Sequence, residues 1–142
     1  MPPVSRAGLA HLAIVALACI SAGWTVQAQS EAMPAIQTQG AVRYACGGIG
    51  SDESAAMRAA MKQFPLSLLF ARPDGGYLAD VDVAILAADG RTVLAMRASG
   101  PVCLVDLPPG RYEVAAASGG VGKSHSISIG GAPATADFRF ER

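Results

Sequence analysis

The chain has 142 residues with 11 basic and 11 acidic side chains, so its formal charge at pH 7 is zero. This length accommodates one domain, and the balanced charge excludes the broad basic surface that generic nucleic-acid binding requires. Hydrophobic residues make up 51% of the sequence, which excludes intrinsic disorder and suggests a membrane-directed segment.

The N-terminal region has the pattern of a secretory signal peptide. Arg6 supplies a positive charge, a modest apolar run covers residues 7–22, and small residues then fit a cut between Ala28 and Gln29. The run is shorter than the roughly 20 apolar residues of a transmembrane helix, so we expect no membrane-spanning segment in the mature protein. Removing residues 1–28 leaves 114 of the 142 residues, which we expect in the bacterial periplasm or outside the cell.

Lipidation is the alternative fate of this region. Leu17 and Ala18 precede Cys19 as they would in a bacterial lipobox, although Ala16 stands where Leu is usual. Cys19 would then become a lipid-anchored N-terminus, and the domain would be tethered to a membrane.

The two cysteines beyond the signal, Cys46 and Cys103, are candidates for a disulfide. An even number of cysteines in an exported domain favours a bond, and closing so long a loop would contribute about 4 kcal/mol. Two separate buried thiols are the alternative, because free cysteine is among the most buried residue types.

The region before the first strand is predicted to contain a leader and a helix. Residues 29–50 have no hydrophobic period and indicate a flexible leader ending in a glycine-rich turn. Residues 51–64 form an amphipathic helix that Ser51 or Asp52 could cap and Pro65 ends. Its apolar stripe consists of Met57, Ala60, Met61 and Phe64.

Residues 65–142 alternate apolar and polar side chains in short runs that glycine and proline turns separate. Seven such runs, with turns about every 8–12 residues, predict an all-β, antiparallel, seven-stranded β-sandwich. Tyr112 follows the turn 108–111, and we expect its hydroxyl to reach a turn carbonyl, as in a tyrosine corner.

Several segments could carry chemistry, but each has a simpler structural explanation. Residues 119–124 lack the first glycine and the following helix of a phosphate loop, so they indicate a hairpin. The glycine-rich turn 47–50 could bind an anion, although the acidic residues that follow would repel one. Aspartates 74, 80, 82 and 89 could gather weakly around Ca²⁺, but solvated carboxylates are more common. We therefore expect no catalytic residue, cofactor site or metal site.

Residues 100–114 read GPVCLVDLPPGRYEV, and residues 80–85 followed by Asp89-Gly90 form an earlier strand and hairpin. This pattern, an apolar strand and then L-P-P-G-x-Y-x-V, resembles the carboxypeptidase regulatory-like family across residues 64–140. The resemblance implies a transthyretin-like, immunoglobulin-like β-sandwich and says little about activity. Residues 46–53 and the helix are similar to small exported proteobacterial proteins that carry this domain.

Three functions remain open from the sequence. The leading hypothesis is a non-catalytic periplasmic module that binds a protein or an envelope component, for instance by strand addition. The second is an enzyme resembling hydroxyisourate hydrolase that uses His125 with Arg72, Arg97 or Arg111, although the chain ends FRFER rather than in that family's tail. The third is a structural envelope protein or lipoprotein. The oligomeric state stays open.

Metabolic labelling with a fatty acid distinguishes the two fates of the N-terminal region. We expect no label, because the signal peptide is predicted to be cut at Ala28 and Cys19 to leave with it. Label that disappears in a Cys19→Ala variant would contradict the cut and establish lipidation.

Overall fold

A computed structural model describes residues 33–141, together with the isolated positions Pro3 and Gly23. Cys19 and the cut between Ala28 and Gln29 lie outside the described residues. The described chain contains a helix, α1 (Ser51–Ala60), a 3₁₀ turn (Met61–Gln63) and nine strands. The strands are β1 (Gln37–Gln39), β2 (Val42–Gly47), β3 (Leu66–Ala71), β4 (Val81–Ala87), β5 (Thr92–Ala98), β6 (Val102–Asp106), β7 (Gly110–Ser118), β8 (Val121–Ile129) and β9 (Ala134–Arg139).

The strands form a sandwich of two sheets, as the sequence predicted. Sheet 1 has the order β1-β2-β6-β3-β9, and sheet 2 has the order β5-β4-β7-β8. The seven predicted strands are β3 to β9. One pairing departs from the antiparallel expectation, because β9 lies parallel to β3. This follows from the connection: the chain leaves β8 in sheet 2 and returns to the edge of sheet 1.

The prediction of a flexible leader and turn over residues 29–50 is wrong for β1 and β2. β2 pairs with β6 over residues 43–47, and Val42, Ala45 and Cys46 are buried. β1 then pairs with β2 in a short hairpin. Val42 and Tyr44 favour a strand, but Ala45, Cys46 and Gly47 do not continue the alternation, so the pairing with β6 is what makes the whole segment a strand.

The core lies between the inner faces of the two sheets. Each alternating strand contributes a buried row, for example Val81, Val83 and Ile85 from β4. Three phenylalanines close one side of the core: the ring of Phe138 lies 5.7 Å from that of Phe70 and 6.5 Å from that of Phe140. All three rings are almost completely buried.

The disulfide prediction is confirmed. Cys46 of β2 and Cys103 of β6 lie directly opposite each other in the ladder and are bonded. The two cysteines are 57 residues apart in sequence but lie on neighbouring strands, so the bond fastens the N-terminal hairpin to the centre of sheet 1.

The helix covers the outer face of sheet 1, and it is shorter than predicted. α1 ends at Ala60, and the rest of the predicted helix 51–64 is the 3₁₀ turn and an extended Phe64. Met57 is completely buried against Val102 and Leu104 of β6. No helix among the described residues is long and apolar enough to span a membrane.

The start of α1 differs from the expected cap. Gly50 occupies the N-cap, and neither Ser51 nor Asp52 caps the helix with its side chain. Instead, a carboxylate oxygen of Glu53 accepts a hydrogen bond of 2.7 Å from the backbone N–H of Gly48. A Cβ at Gly47 would collide with that carboxylate. The carboxylate of Glu53 therefore occupies the position at the glycine-rich turn where an external anion would bind.

Reducing the disulfide should lower the free energy of unfolding by about 4 kcal/mol, because the unfolded chain regains the entropy of a long loop. Chemical unfolding with and without reductant measures this. A Cys46→Ala, Cys103→Ala double variant should be about equally unstable in both conditions. Two alkylated thiols before reduction would contradict the bond.

Candidate interaction surface

The tyrosine-corner prediction is confirmed. The hydroxyl of Tyr112, near the start of β7, donates a hydrogen bond of 2.8 Å to the carbonyl of Pro108. The ring packs against the core, so this contact fixes the turn before β7 to the sandwich. Such a contact stabilises the fold and implies no activity.

The residues of the hydrolase alternative do not converge. His125 is exposed, and its ring lies 4.6 Å from that of Phe138. His125 is opposite Val114 of the core, whereas Arg97 and Arg111 are opposite Asp82 and Ser128 on the other face of sheet 2.

The remaining arginine of that alternative is Arg72, which lies just after β3 of sheet 1. It forms an ion pair of 3.5 Å with Asp74 in the next loop. His125 therefore shares no sheet face with Arg97 or Arg111, and the Arg72 guanidinium is paired with Asp74.

The four aspartates that could bind Ca²⁺ also lie apart. Among residues 33–141, no three His, Cys, Asp or Glu side chains are close enough to hold a metal ion. Asp74 and Asp89 instead accept backbone hydrogen bonds of 2.9 Å within their own turns. The bond from the Gly76 N–H, together with the nearby Arg72, lowers the pKa of the Asp74 carboxyl.

Another aspartate has a structural role. Asp80 adopts a positive φ of 59° before β4 and forms an ion pair of 3.6 Å with Arg97. Residues 119 and 120 form the β7–β8 turn, as expected for a hairpin rather than a phosphate loop.

What the sandwich does present is four strands at the edges of its sheets, β1 and β9 in sheet 1 and β5 and β8 in sheet 2. An edge strand exposes unpaired backbone N–H and C=O groups, which can pair with another chain. β1 has 3 residues and β9 has 6, whereas β8 has 9. The longest of these is therefore β8.

The edge of β5 is protected by a side chain of sheet 1. The amide of Gln39 donates a hydrogen bond of 2.9 Å to the carbonyl of Ala95 and accepts one of 2.7 Å from its N–H. A side-chain amide has the same donor and acceptor as a peptide group, so Gln39 pairs with β5 as a neighbouring strand would. This contact closes the middle of the β5 edge.

Among residues 33–141, no side chain forms such a contact with the backbone of β8. The direction of this backbone follows from the ladder. Ala95 directs its N–H and C=O away from β4, toward Gln39. In antiparallel sheets, opposite residues alternate between hydrogen-bonded and non-hydrogen-bonded pairs. Ala95 and its opposite residue Ala84 are therefore a non-bonded pair, and Ala84 bonds to Ala115 instead. Ala115 thus directs its N–H and C=O away from β8, and the N–H and C=O of Ser124 face the open edge. Backbone direction repeats at every second residue, so the N–H and C=O groups of Gly122, Ser126 and Ser128 also face the open edge.

The side chains along β8 are small or lie over the core. Residues 121–126 are all exposed. The ammonium group of Lys123 lies 5.7 Å from the ring of Phe140, and His125 lies over Phe138. The outer face carries only glycine and serine. We define the β8 edge as the outward backbone groups of Gly122, Ser124, Ser126 and Ser128.

The sequence predicted this strand but not the strand order of its sheet. Strand order depends on which ladder forms, and neither the alternation nor the turn residues specify it. The sequence also did not indicate the contact of Gln39 with β5, because Gln39 lies in a segment predicted to be a flexible leader.

No protein-family model matches the chain, and a search of curated proteins found no relative. The carboxypeptidase regulatory-like resemblance therefore rests on the residues quoted above.

Proline substitutions test the direction of the β8 backbone. Ser124→Pro removes an outward N–H, so it should lower the free energy of unfolding by less than about 1 kcal/mol. His125→Pro removes an N–H that bonds to β7 and should cost at least about 2 kcal/mol. Urea unfolding of both variants measures this. The reverse order would show that the ladder is offset by one residue.

Proposed function

We propose that this protein is an exported, non-catalytic β-sandwich module that binds an extended segment of another envelope protein by strand addition to the β8 edge. The observation that carries the proposal is a nine-residue strand that, among the described residues, pairs on one side only. Strand addition supplies affinity through backbone hydrogen bonds, so the site needs neither a deep pocket nor a catalytic group.

The location and family in this proposal come from the sequence. The signal-peptide pattern of residues 1–28 supports export to the periplasm, with anchoring through Cys19 as the alternative. The L-P-P-G-x-Y motif that ends at Tyr112 supports a transthyretin-like sandwich of the carboxypeptidase regulatory-like family. A module of this kind recruits a partner rather than transforms a substrate.

The charges along β8 favour one class of partner. Lys123 is the single charged residue between positions 121 and 129, and this stretch has no carboxylate. The partner segment would therefore be neutral or mildly acidic. A second copy of β8 is less favourable, because it would add a second lysine to the same strand pair.

A photo-crosslinking residue at Ser126 tests the proposal in intact cells. We expect an adduct with one envelope protein, because Ser126 lies at the β8 edge. The same crosslinker at Asp89, an exposed turn residue between β4 and β5, should give no such adduct. Ser124→Pro should abolish the Ser126 adduct at unchanged protein level, because β8 then lacks one of the N–H donors that would bond to the added strand.

Two results would overturn the proposal. One is an adduct that persists in the Ser124→Pro background, since binding would then not depend on the edge backbone. The other is the absence of any specific adduct. An adduct of two copies of this chain would favour the structural envelope protein instead.

A further inference from the structure

We infer that the protein has a second binding site, independent of the β8 edge, for a small carboxylate with an apolar body. The site is a cavity of about 240 Å³ on the outer face of sheet 1, at the side of α1. Arg58 and Tyr77 line one part of it, and Asp137 and Arg139 line another.

The lower part of this cavity is apolar. Val102 belongs to the buried layer beneath α1, and Leu69 packs against that layer. The ring of Phe70 lies in the core on the other face of β3, stacked on Phe138, so Phe70 adds only backbone to the cavity. Gly75 and Pro101 contribute backbone and ring atoms without charge. The cavity thus offers an apolar floor with charged groups around it, which is the general form of a small-molecule site.

The charges at this cavity do not cancel. Arg139 is engaged by Asp137, to which it donates hydrogen bonds of 2.8 Å and 3.0 Å, and this pairing raises the pKa of Arg139. Among the described residues, ion pairs join Arg72 to Asp74, Arg97 to Asp80 and Arg139 to Asp137, and Arg58 is in none of them. The lining therefore carries one net positive charge, at Arg58.

Within the described part of the chain, the guanidinium of Arg58 contacts only Tyr77. One terminal nitrogen donates a hydrogen bond of 3.1 Å to the hydroxyl of Tyr77, and the guanidinium carbon lies 5.9 Å from the centre of that ring. A guanidinium group has five N–H donors, so a bidentate pair with a carboxylate can form beside this contact. Tyr77 is 57% exposed, so a ligand held by Arg58 can reach its ring from solvent.

The charge and size together specify the ligand class. One net positive charge matches one carboxylate, whereas a doubly charged phosphate would leave one negative charge uncompensated. A volume of about 240 Å³ is below the range of about 300–1,000 Å³ typical of drug-sized ligands. The expected ligand is therefore the size of one small residue, either the C-terminal residue of a peptide or a short free acid.

Titration followed by amide NMR tests this site with defined probes. N-acetylalanine represents a peptide terminus, propionate a free acid, and N-acetylalaninamide and propionamide are the uncharged controls. We expect saturable shifts at Gly75, Tyr77 and Val102 with at least one acid and none with the amides. The acid that binds more tightly identifies the source of the carboxylate.

Variants connect the binding to Arg58. Arg58→Gln should weaken binding at least about tenfold, because a charge-assisted pair is lost. Arg43→Gln removes the same charge from an exposed position on β2 and should change binding less than about twofold. Unchanged thermal unfolding of both variants establishes that they are folded.

The site would be refuted by equal binding in the Arg58→Gln variant, or by amides that bind as well as the acids. Shifts that grow without saturation, or phosphate that binds more tightly than either acid, would equally overturn it. None of these outcomes depends on Ser124, so the site can fail while strand addition at β8 holds.

Discussion

The pairing of β2 with β6 is the constraint on which the rest of this fold depends. β6 pairs with β2 on one side and β3 on the other, so it lies at the centre of sheet 1. Its inner face contributes Cys103 and Val105 to the core, and its outer face contributes Val102 and Leu104 to the layer under α1. The disulfide fastens β2 to this strand. Displacing β2 would therefore disturb the core, the helix layer and the N-terminal hairpin together.

The same constraint places the two parts of the N-terminal segment on which the proposals depend. With β2 fixed, the short hairpin carries Gln39 across to the edge of β5, where its amide bonds to Ala95. The glycine-rich turn after β2 then directs α1 over β6, with Glu53 bound to the turn. Helix placement in turn brings Arg58 to Tyr77 beside the cavity. The pairing of β2 with β6 thus determines that the β5 edge is covered and that the Arg58 guanidinium lies beside the cavity.

The sequence predicted those features that depend on local patterns. Alternation and turn residues located β3 to β9, the cysteine count indicated the disulfide, and the turn before Tyr112 indicated its hydrogen bond. It missed β1 and β2, because small residues such as Ala45 become strand residues only through pairing with β6. It also missed the cavity at Arg58, since the lining comes from a helix, two loops and three strands that no local pattern brings together.

The two edges of sheet 2 have different protection, and that difference is an argument about function. Unpaired edge strands invite aggregation, so proteins shorten them, charge them or cover them. Here β5 is covered by Gln39, while β8 keeps nine residues and has only Lys123 as a charged residue. Its serines keep the outer face soluble and leave space for a neighbouring strand. A hazard that the fold removes at one edge and retains at the other is best explained if the open edge is used.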